Sequence, residues 1–206
     1  RPLNKTKGCL IANFATVPIY GILHSEDYRT RYANNLMKEL PRIPRVATYE
    51  QFMAFAEAGR KLAELHVNFE NVQPYAGVKI EYTKDGAPSY RVTQMKWAKI
   101  KGKTGNAAKD KSTLIYNDWI TVKNVPLEAQ EYVVNKKSAL DWVVERACVS
   151  TDKASDIVND FNDYAAGQGN ERYPLELFLK VITVSLETIK IVKGLPPLEI
   201  HQLDKA

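Results

Sequence analysis

The stretch YRVTQMKWAKIKGKTGNAAKDKSTLIYNDWITVKNV, residues 90–125, decides the fold of this chain. Side chains on the two faces of an extended chain alternate from Tyr90 to Met95. Two apolar, β-branched runs at 113–116 and 119–122 flank a turn signal at Asn117-Asp118. The pattern therefore predicts a strand, a long basic loop, a strand, a turn and a last strand.

The loop between these strands is rich in lysine. Six lysines and a single acid, Asp110, lie in the window from Lys96 to Lys111, so its charge of +5 equals the formal charge of the whole chain. Gly102 and Gly105 interrupt regular pairing there. A basic loop that projects from a sheet suits a polyanion, because each lysine that neutralises a phosphate releases a condensed counterion. A solvated hairpin without a partner is the alternative.

Length and composition limit the class of protein. The chain has 206 residues, with 45% hydrophobic and 26% charged residues, which fits one soluble domain, or one domain with a helical appendage. Cys9 and Cys148 show no metal-ligand spacing, so we expect reduced thiols in a cytoplasmic protein. No apolar run reaches membrane-spanning length and no signal-peptide pattern is present, so we expect no membrane partner. Because the chain opens at Arg1 rather than Met, we expect an excised piece of a longer polypeptide.

Changes in hydrophobic period predict an α+β fold. We expect N-terminal helices from about 25 to 67, with Ser25 and Thr48 as caps and with close helix packing at Gly59. A central, mainly antiparallel β-sheet with the long basic loop follows in a β-rich part at 78–134. C-terminal helices occupy 136–206, where the polar residues 150–172 indicate a long ordered loop or short turns. Trp142 and Phe178 lie on apolar helix stripes, so we expect both in the core.

Motifs for catalysis are missing from the sequence. There is no Gly-rich phosphate loop followed by Lys-Ser/Thr and no G-x-S-x-G element. The acids Asp156, Asp160 and Asp163 could hold a divalent cation, but Asp and Asn also dominate solvated turns. We therefore predict that this chain has no catalytic residues, no metal site and no cofactor of its own.

Three groups of segments carry a resemblance to a known family. They are YGILHS at 20–25 with YR at 28–29 and LPRIP at 40–44; AEAGRKLAELH at 56–66; and YVVN at 132–135 with SALDW at 138–142 and TDKASDIVND at 151–160. In this order they resemble the C-terminal region of the single-polypeptide restriction–modification enzymes called type ISP. In that family one polypeptide joins a nuclease, a helicase-like translocase, an adenine-N6 methyltransferase and a C-terminal target-recognition domain.

The resemblance implies a domain organisation for the chain and a set of partners. Residues 1–70 would be a helical segment at the exit of the methyltransferase, and 71–206 would be the target-recognition domain. The implied partners are double-stranded DNA and the upstream methyltransferase and translocase domains of the same polypeptide, and we expect a monomer. S-adenosylmethionine, ATP and Mg would serve the full-length enzyme outside this chain.

The resemblance does not assign the residues that contact DNA, so we predict them from the basic stretch. The predicted DNA-binding residues are Arg91, Gln94, Lys96, Lys99, Lys101, Lys103, Asn106, Lys109 and Lys111. Arg and Lys can donate to guanine, and Gln and Asn can pair with adenine, whereas lysines more often contact phosphate. The alternative is an interdomain scaffold that docks the methyltransferase to the translocase without contacting DNA.

Overall fold

A computed structural model describes residues 16–100, 102, 104 and 109–201. The chain divides into two compact units. The first contains the described residues up to Asn68 together with those from Thr188 onward, and the second is Phe69–Glu187. The two units together contain helices toward both ends of the chain and a central antiparallel sheet, which confirms the predicted α+β class. None of the described helices is long and apolar enough to cross a membrane.

The first unit is helical. Its helices are α1 (16–24), α2 (Glu26–Arg31), α3 (Ala33–Leu36) and α4 (Tyr49–Val67). The predicted caps are confirmed, since Ser25 accepts from the backbone N of Tyr28 and Thr48 accepts from that of Gln51. A small core includes the buried side chains of Ile22, Tyr28, Phe55 and Leu198.

Two glycines bring α1 and α4 into contact along their backbones. A Cβ atom on Gly59 would lie 1.7 Å from the carbonyl oxygen of Val17, and one on Gly21 would lie 2.2 Å from that of Phe55. No side chain fits into either space. The expected close packing at Gly59 is therefore confirmed, and it offsets the cost of a glycine in the middle of a helix.

The second unit is built on a four-stranded antiparallel sheet. Its strands are β1 (Lys79–Tyr82), β2 (Lys96–Lys99), β3 (Lys109–Ile115) and β4 (Ile120–Lys123), in the order β1-β4-β3-β2. The strands β1 and β2 are consequently its two edges. One face is apolar and buried, with Trp97, Leu114 and Val122 in the core.

Shorter elements follow the sheet. They are the strands β5 (Val133–Val134) and β6 (Lys137–Ser138), the helix α5 (Ala139–Arg146), the strands β7 (Val149–Thr151) and β8 (Val158–Asp160), and the helices α6 (Phe161–Gly167) and α7 (Tyr173–Lys193). The loop expected at 150–172 is therefore wrong, because this region holds a strand pair and a helix. Its polar residues close the turn and cap the helix: Asp152 accepts from Ser155, and Asp160 accepts from the backbone N of Asn162.

Of the two predicted core residues, only Phe178 is buried. Its ring on α7 packs against Trp97 with 6.0 Å between ring centroids. Trp142 is half-buried, so the prediction for it is wrong. Its indole lies beside the cations of Lys137 and Arg146, at 4.9 and 5.7 Å from the ring centroid, because α5 turns Leu140 to the core instead.

Candidate nucleic-acid interface

The basic stretch contains a shorter loop than the sequence predicts, because several of its lysines belong to the strands β2 and β3. Lys96 and Lys99 begin and end β2, and Lys109 and Lys111 lie in β3, so the connection covers only 100–108. The two strands pair irregularly, since Trp97 faces Leu114 while the next residue faces Asp110. One step along β2 therefore corresponds to four along β3, and a bulge of residues 111–113 separates the two regions of pairing.

The segment before β2 is extended but does not belong to the sheet. The side-chain amide of Asn117 donates to the carbonyl oxygens of Ser89 (2.8 Å) and Arg91 (2.9 Å). Asn162 accepts from the backbone N of Val92 at 2.9 Å and donates to its carbonyl oxygen at 2.7 Å. The strand predicted from the alternation is therefore wrong at 90–95, because side chains make most of these backbone hydrogen bonds and only one, from the backbone N of Val149 to the carbonyl oxygen of Thr93 (2.9 Å), comes from a strand.

This clamped segment forms one wall of a surface concavity of about 490 Å³. Its lining residues come from the segment, from the start of β2 and from the β3–β4 turn; they are Ser89, Arg91, Thr93, Gln94, Lys96, Asn117, Asp118 and Trp119. Three of the predicted DNA-binding residues, Arg91, Gln94 and Lys96, are thereby brought together. The concavity is polar and shallow, which suits contact with a surface rather than enclosure of a small molecule.

The three predicted residues in the concavity differ in their partners. Arg91 pairs with Asp160 while its side chain remains 59% exposed. Hydrogen bonds from Asn162 are the main reason that the pKa of Asp160 lies below its ordinary value, with a further contribution from Arg91. The side chains of Gln94 and Lys96 are exposed and have no hydrogen-bond or ion-pair partner within the described residues. Their donors, and those that Arg91 does not use, are available to a ligand.

A pair of lysines ends the β2–β3 ribbon. Lys99 and Lys109 are cross-strand partners, both are exposed, and neither has an acidic partner in the part of the chain that the structure describes. The sheet contains a second such pair, Lys79 and Lys123, but there Glu81 binds both ammonium groups, at 2.9 and 2.6 Å. Like charges that face each other across strands are destabilising. The uncompensated pair is therefore a site where a bound anion would relieve repulsion.

Lys111 has a structural partner instead. Its ammonium group pairs with Asp141 and lies 5.1 Å from the centroid of the Trp97 ring. The indole of Trp97 also donates to Asp141, at 2.8 Å. Partial burial raises the pKa of Asp141, but the hydrogen bonds from Lys111 and Trp97 outweigh this and hold the pKa below its ordinary value. The bulge in β3 thus turns one predicted contact residue toward the core.

The remaining predicted residues, Lys101, Lys103 and Asn106, lie outside the described residues. Sequence reasoning missed the other five lining residues of the concavity, which are Ser89, Thr93, Asn117, Asp118 and Trp119. The sequence does show the Asn117-Asp118 turn, but a turn signal does not reveal which surface the turn faces. Within the described ranges, no three His, Cys, Asp or Glu residues are grouped so that they could hold a metal ion.

The sequence matches one protein family. The family described as Type ISP C-terminal specificity domain matches residues 18–177 of the sequence. A search of curated proteins finds no match.

Solved structures that resemble the chain include three complexes. The first is a nuclease-deletion mutant of the Type ISP restriction–modification enzyme LlaGI in complex with a DNA substrate mimic, with 41% sequence identity, a TM-score of 0.77, and coverage of 92% of this chain and 17% of that one. The second is the ATP-dependent Type ISP restriction–modification enzyme LlaBIII bound to DNA (37% identity, TM-score 0.77, 91% and 11% covered). The third is a DrdV–DNA complex (31% identity, TM-score 0.71, 91% and 18% covered). The chain therefore spans less than a fifth of each of these proteins.

Proposed function

Because this chain belongs to the family of Type ISP C-terminal specificity domains, we propose that it recognises a specific sequence in double-stranded DNA. The similar solved structures support this, since each is described as a complex with DNA or a DNA substrate mimic. Within the chain, the second unit carries the concavity and the basic strand pair. We assign DNA contact to this unit.

The observation that carries the proposal is the uncompensated lysine pair, Lys99 and Lys109. Two ammonium groups that face each other across strands lower the stability of the fold unless an acid lies between them. In the other cross-strand lysine pair of this sheet, Glu81 is that acid. A phosphate of the DNA backbone would bind both charges and release condensed counterions. These lysines would position the domain on the duplex without reading its sequence.

Sequence would be read from the concavity. Gln94 can pair bidentately with adenine, and Arg91 can donate to the acceptors of guanine in the major groove. Asp160 holds the Arg91 guanidinium to one side of the segment, and five N–H donors leave enough for both partners. The ion pair therefore orients the arginine before DNA arrives.

The rest of the reaction would lie elsewhere. We propose that this chain selects the site while other domains of a longer polypeptide carry the methyltransferase, translocase and nuclease activities. S-adenosylmethionine, ATP and Mg would be bound by those domains. The specificity domain would then act on DNA by binding alone.

Two matched variants test the proposal in the full-length polypeptide. K99A/K109A removes the uncompensated pair, and K79A/K123A removes the same number of charges from the pair that Glu81 binds. Duplex binding is measured at several salt concentrations. For K99A/K109A the slope of log affinity against log salt should fall by about 0.9 for each phosphate that the protein no longer neutralises, whichever sequence is bound. For K79A/K123A the slope should not change, and equal slopes for the two variants would contradict the proposal.

An interdomain scaffold is the second candidate, and one observation favours it for the first unit. A groove of about 480 Å³ there is lined mainly by apolar side chains, among them Ile19, Ile43 and Phe52. Apolar grooves of this kind are common docking sites. If K99A/K109A binds and methylates DNA like the unmodified enzyme, docking by this unit becomes the better account of the chain.

A further inference from the structure

One acid lies in the otherwise neutral or basic lining of the concavity. Asp118 occupies the turn between β3 and β4 and is exposed. Its carboxylate has no hydrogen-bond or ion-pair partner within the residues that the structure describes, although Arg91 and Lys96 line the same concavity. Arg91 pairs with Asp160 instead. The carboxylate is therefore a free hydrogen-bond acceptor on the surface assigned to DNA.

The turn that presents Asp118 is held from several sides. The side-chain oxygen of Asn117 accepts from the backbone N atoms of Trp119 and Ile120, both at 2.8 Å. Its amide nitrogen is used by the clamp on the neighbouring segment, so all four hydrogen-bonding positions of this side chain are occupied. The carbonyl oxygen of Asp118 accepts from the Thr83 hydroxyl at 2.6 Å. Asn117 is consequently a positioning residue, and Asp118 is the residue that the turn offers to a ligand.

A free carboxylate on such a surface opposes general binding to DNA. Phosphate charges repel it, and this repulsion acts even across water. A carboxylate at this position favours binding only where a hydrogen-bond donor of the DNA contacts it. The donors that a base pair presents in the major groove are the exocyclic amino groups of cytosine and adenine.

The two amino groups can be told apart by their surroundings. Adenine presents an acceptor, N7, beside its amino group, and a carboxylate would be repelled by that acceptor. Cytosine presents only its N4 amino group, and the paired guanine adds two acceptors that suit a neighbouring Lys or Arg. The carboxylate of Asp118 and the ammonium group of Lys96, which line the same concavity, together match this pattern of one donor and two acceptors.

We propose that Asp118 is a specificity-determining residue that accepts a hydrogen bond from N4 of a cytosine in the target sequence. This inference rests on the proposed function and extends it to one base pair. It requires that the target contain a G·C pair at the position facing the β3–β4 turn. Removal of the carboxylate should therefore relax the preference at that pair and leave the other positions unchanged.

The test uses Asp118→Ala and Asp85→Ala in the full-length polypeptide, because an asparagine at position 118 would keep an oxygen that can accept from N4. Asp85 is an exposed acid outside the concavity, so its variant gives the same change of charge without the proposed contact. Preferred duplexes are selected from a random-sequence pool with each protein. Asp118→Ala should lose discrimination at one G·C position by roughly 5- to 150-fold, which corresponds to about 1–3 kcal/mol for a base contact. Asp85→Ala should select the same sequence as the unmodified protein.

A modified base identifies the atom that is read. In a duplex whose selected cytosine is replaced by an analogue without the amino group, the unmodified protein should lose affinity, whereas Asp118→Ala, which already lacks the contact, should bind both duplexes equally well. Equal losses for both proteins, or an unchanged preference in Asp118→Ala, would overturn the inference while leaving the proposed function intact. If the unmodified protein selects no sequence at all, both the proposed function and the inference fail.

Discussion

Asp141 offers the sharpest test of the second unit, because two groups from the sheet converge on its carboxylate. It is the third residue of α5, where it accepts hydrogen bonds from the Trp97 indole and the Lys111 ammonium group. Replacement by Ala removes both acceptors and also an acid from the first turn of the helix. The indole N–H is then left without its partner beside the core.

The size of the effect follows from the separate contributions. A hydrogen bond to a charged group contributes about 1.5–3 kcal/mol. The ion pair is partly exposed, with 28% and 26% of the two side chains accessible, so it adds about 0.2–1 kcal/mol. An acid in the first turn of a helix adds about 0.3–1 kcal/mol. Since these contributions overlap, we expect Asp141→Ala to lower the free energy of unfolding by about 2–4 kcal/mol.

Tryptophan fluorescence during urea denaturation measures this loss in the unit concerned. All three tryptophans, Trp97, Trp119 and Trp142, lie in the second unit. For a urea m-value near 2 kcal/mol/M, the midpoint should fall by about 1–2 M. The control Lys111→Met keeps the bond between Trp97 and Asp141, and should cost no more than about 1 kcal/mol.

The pH dependence supplies a second readout for the same variant. Because the pKa of Asp141 is lowered in the folded state, its stabilising contribution is present above the ordinary pKa of the carboxyl and is lost as the pH falls through the folded-state value. The difference in stability between the unmodified chain and Asp141→Ala should therefore shrink under acid. A variant within 0.5 kcal/mol (roughly the usual error) of the unmodified chain at neutral pH would refute the reasoning.

Two further predictions concern the first unit. Gly59→Ala should lower the thermal stability of its helices, followed by circular dichroism, by about 3 kcal/mol, because the added Cβ would lie 1.7 Å from a backbone oxygen; Gly167→Ala, which meets nothing within 4 Å, is the control. Burial lowers the pKa of His66 from 6.5 to about 4, so this unit should lose stability as the pH falls between these values. His66→Gln should remove that dependence in pH-dependent melting curves, and an unchanged dependence would show that another group is responsible.

Local signals in the sequence predict the starts of α2 and α4, although they miss the helix α6. Ser25 and Thr48 cap helices because their hydroxyls satisfy backbone N–H groups a few residues away, and that information is contained within one turn. The strand β4 follows similarly from its apolar alternation. The burial expected for Trp142 is wrong because an eight-residue helix allows several assignments of its apolar side, and only the tertiary structure decides among them.

The candidate site is predictable in composition but not in geometry. Exposure of Lys96, Lys99 and Lys109 follows from the charge of the stretch, and the structure agrees. The sequence does not show that Lys111 turns to Asp141, because this depends on a bulge set by pairing between distant residues. Nor does it show that Asn162, which lies about seventy residues further along the chain, holds the strand-like segment at 90–95.

The two asparagine clamps have a consequence for retargeting. Asn117 and Asn162 hold only main-chain atoms of the segment, so the fold places no demand on the side chains that point outward from it. Thr93, Gln94 and Lys96 can be exchanged without the loss of any anchor, whereas the buried Val92 must stay apolar. The backbone of the segment therefore stays fixed while its outward side chains are varied. New DNA sequence preferences can be sought at these positions without redesign of the fold.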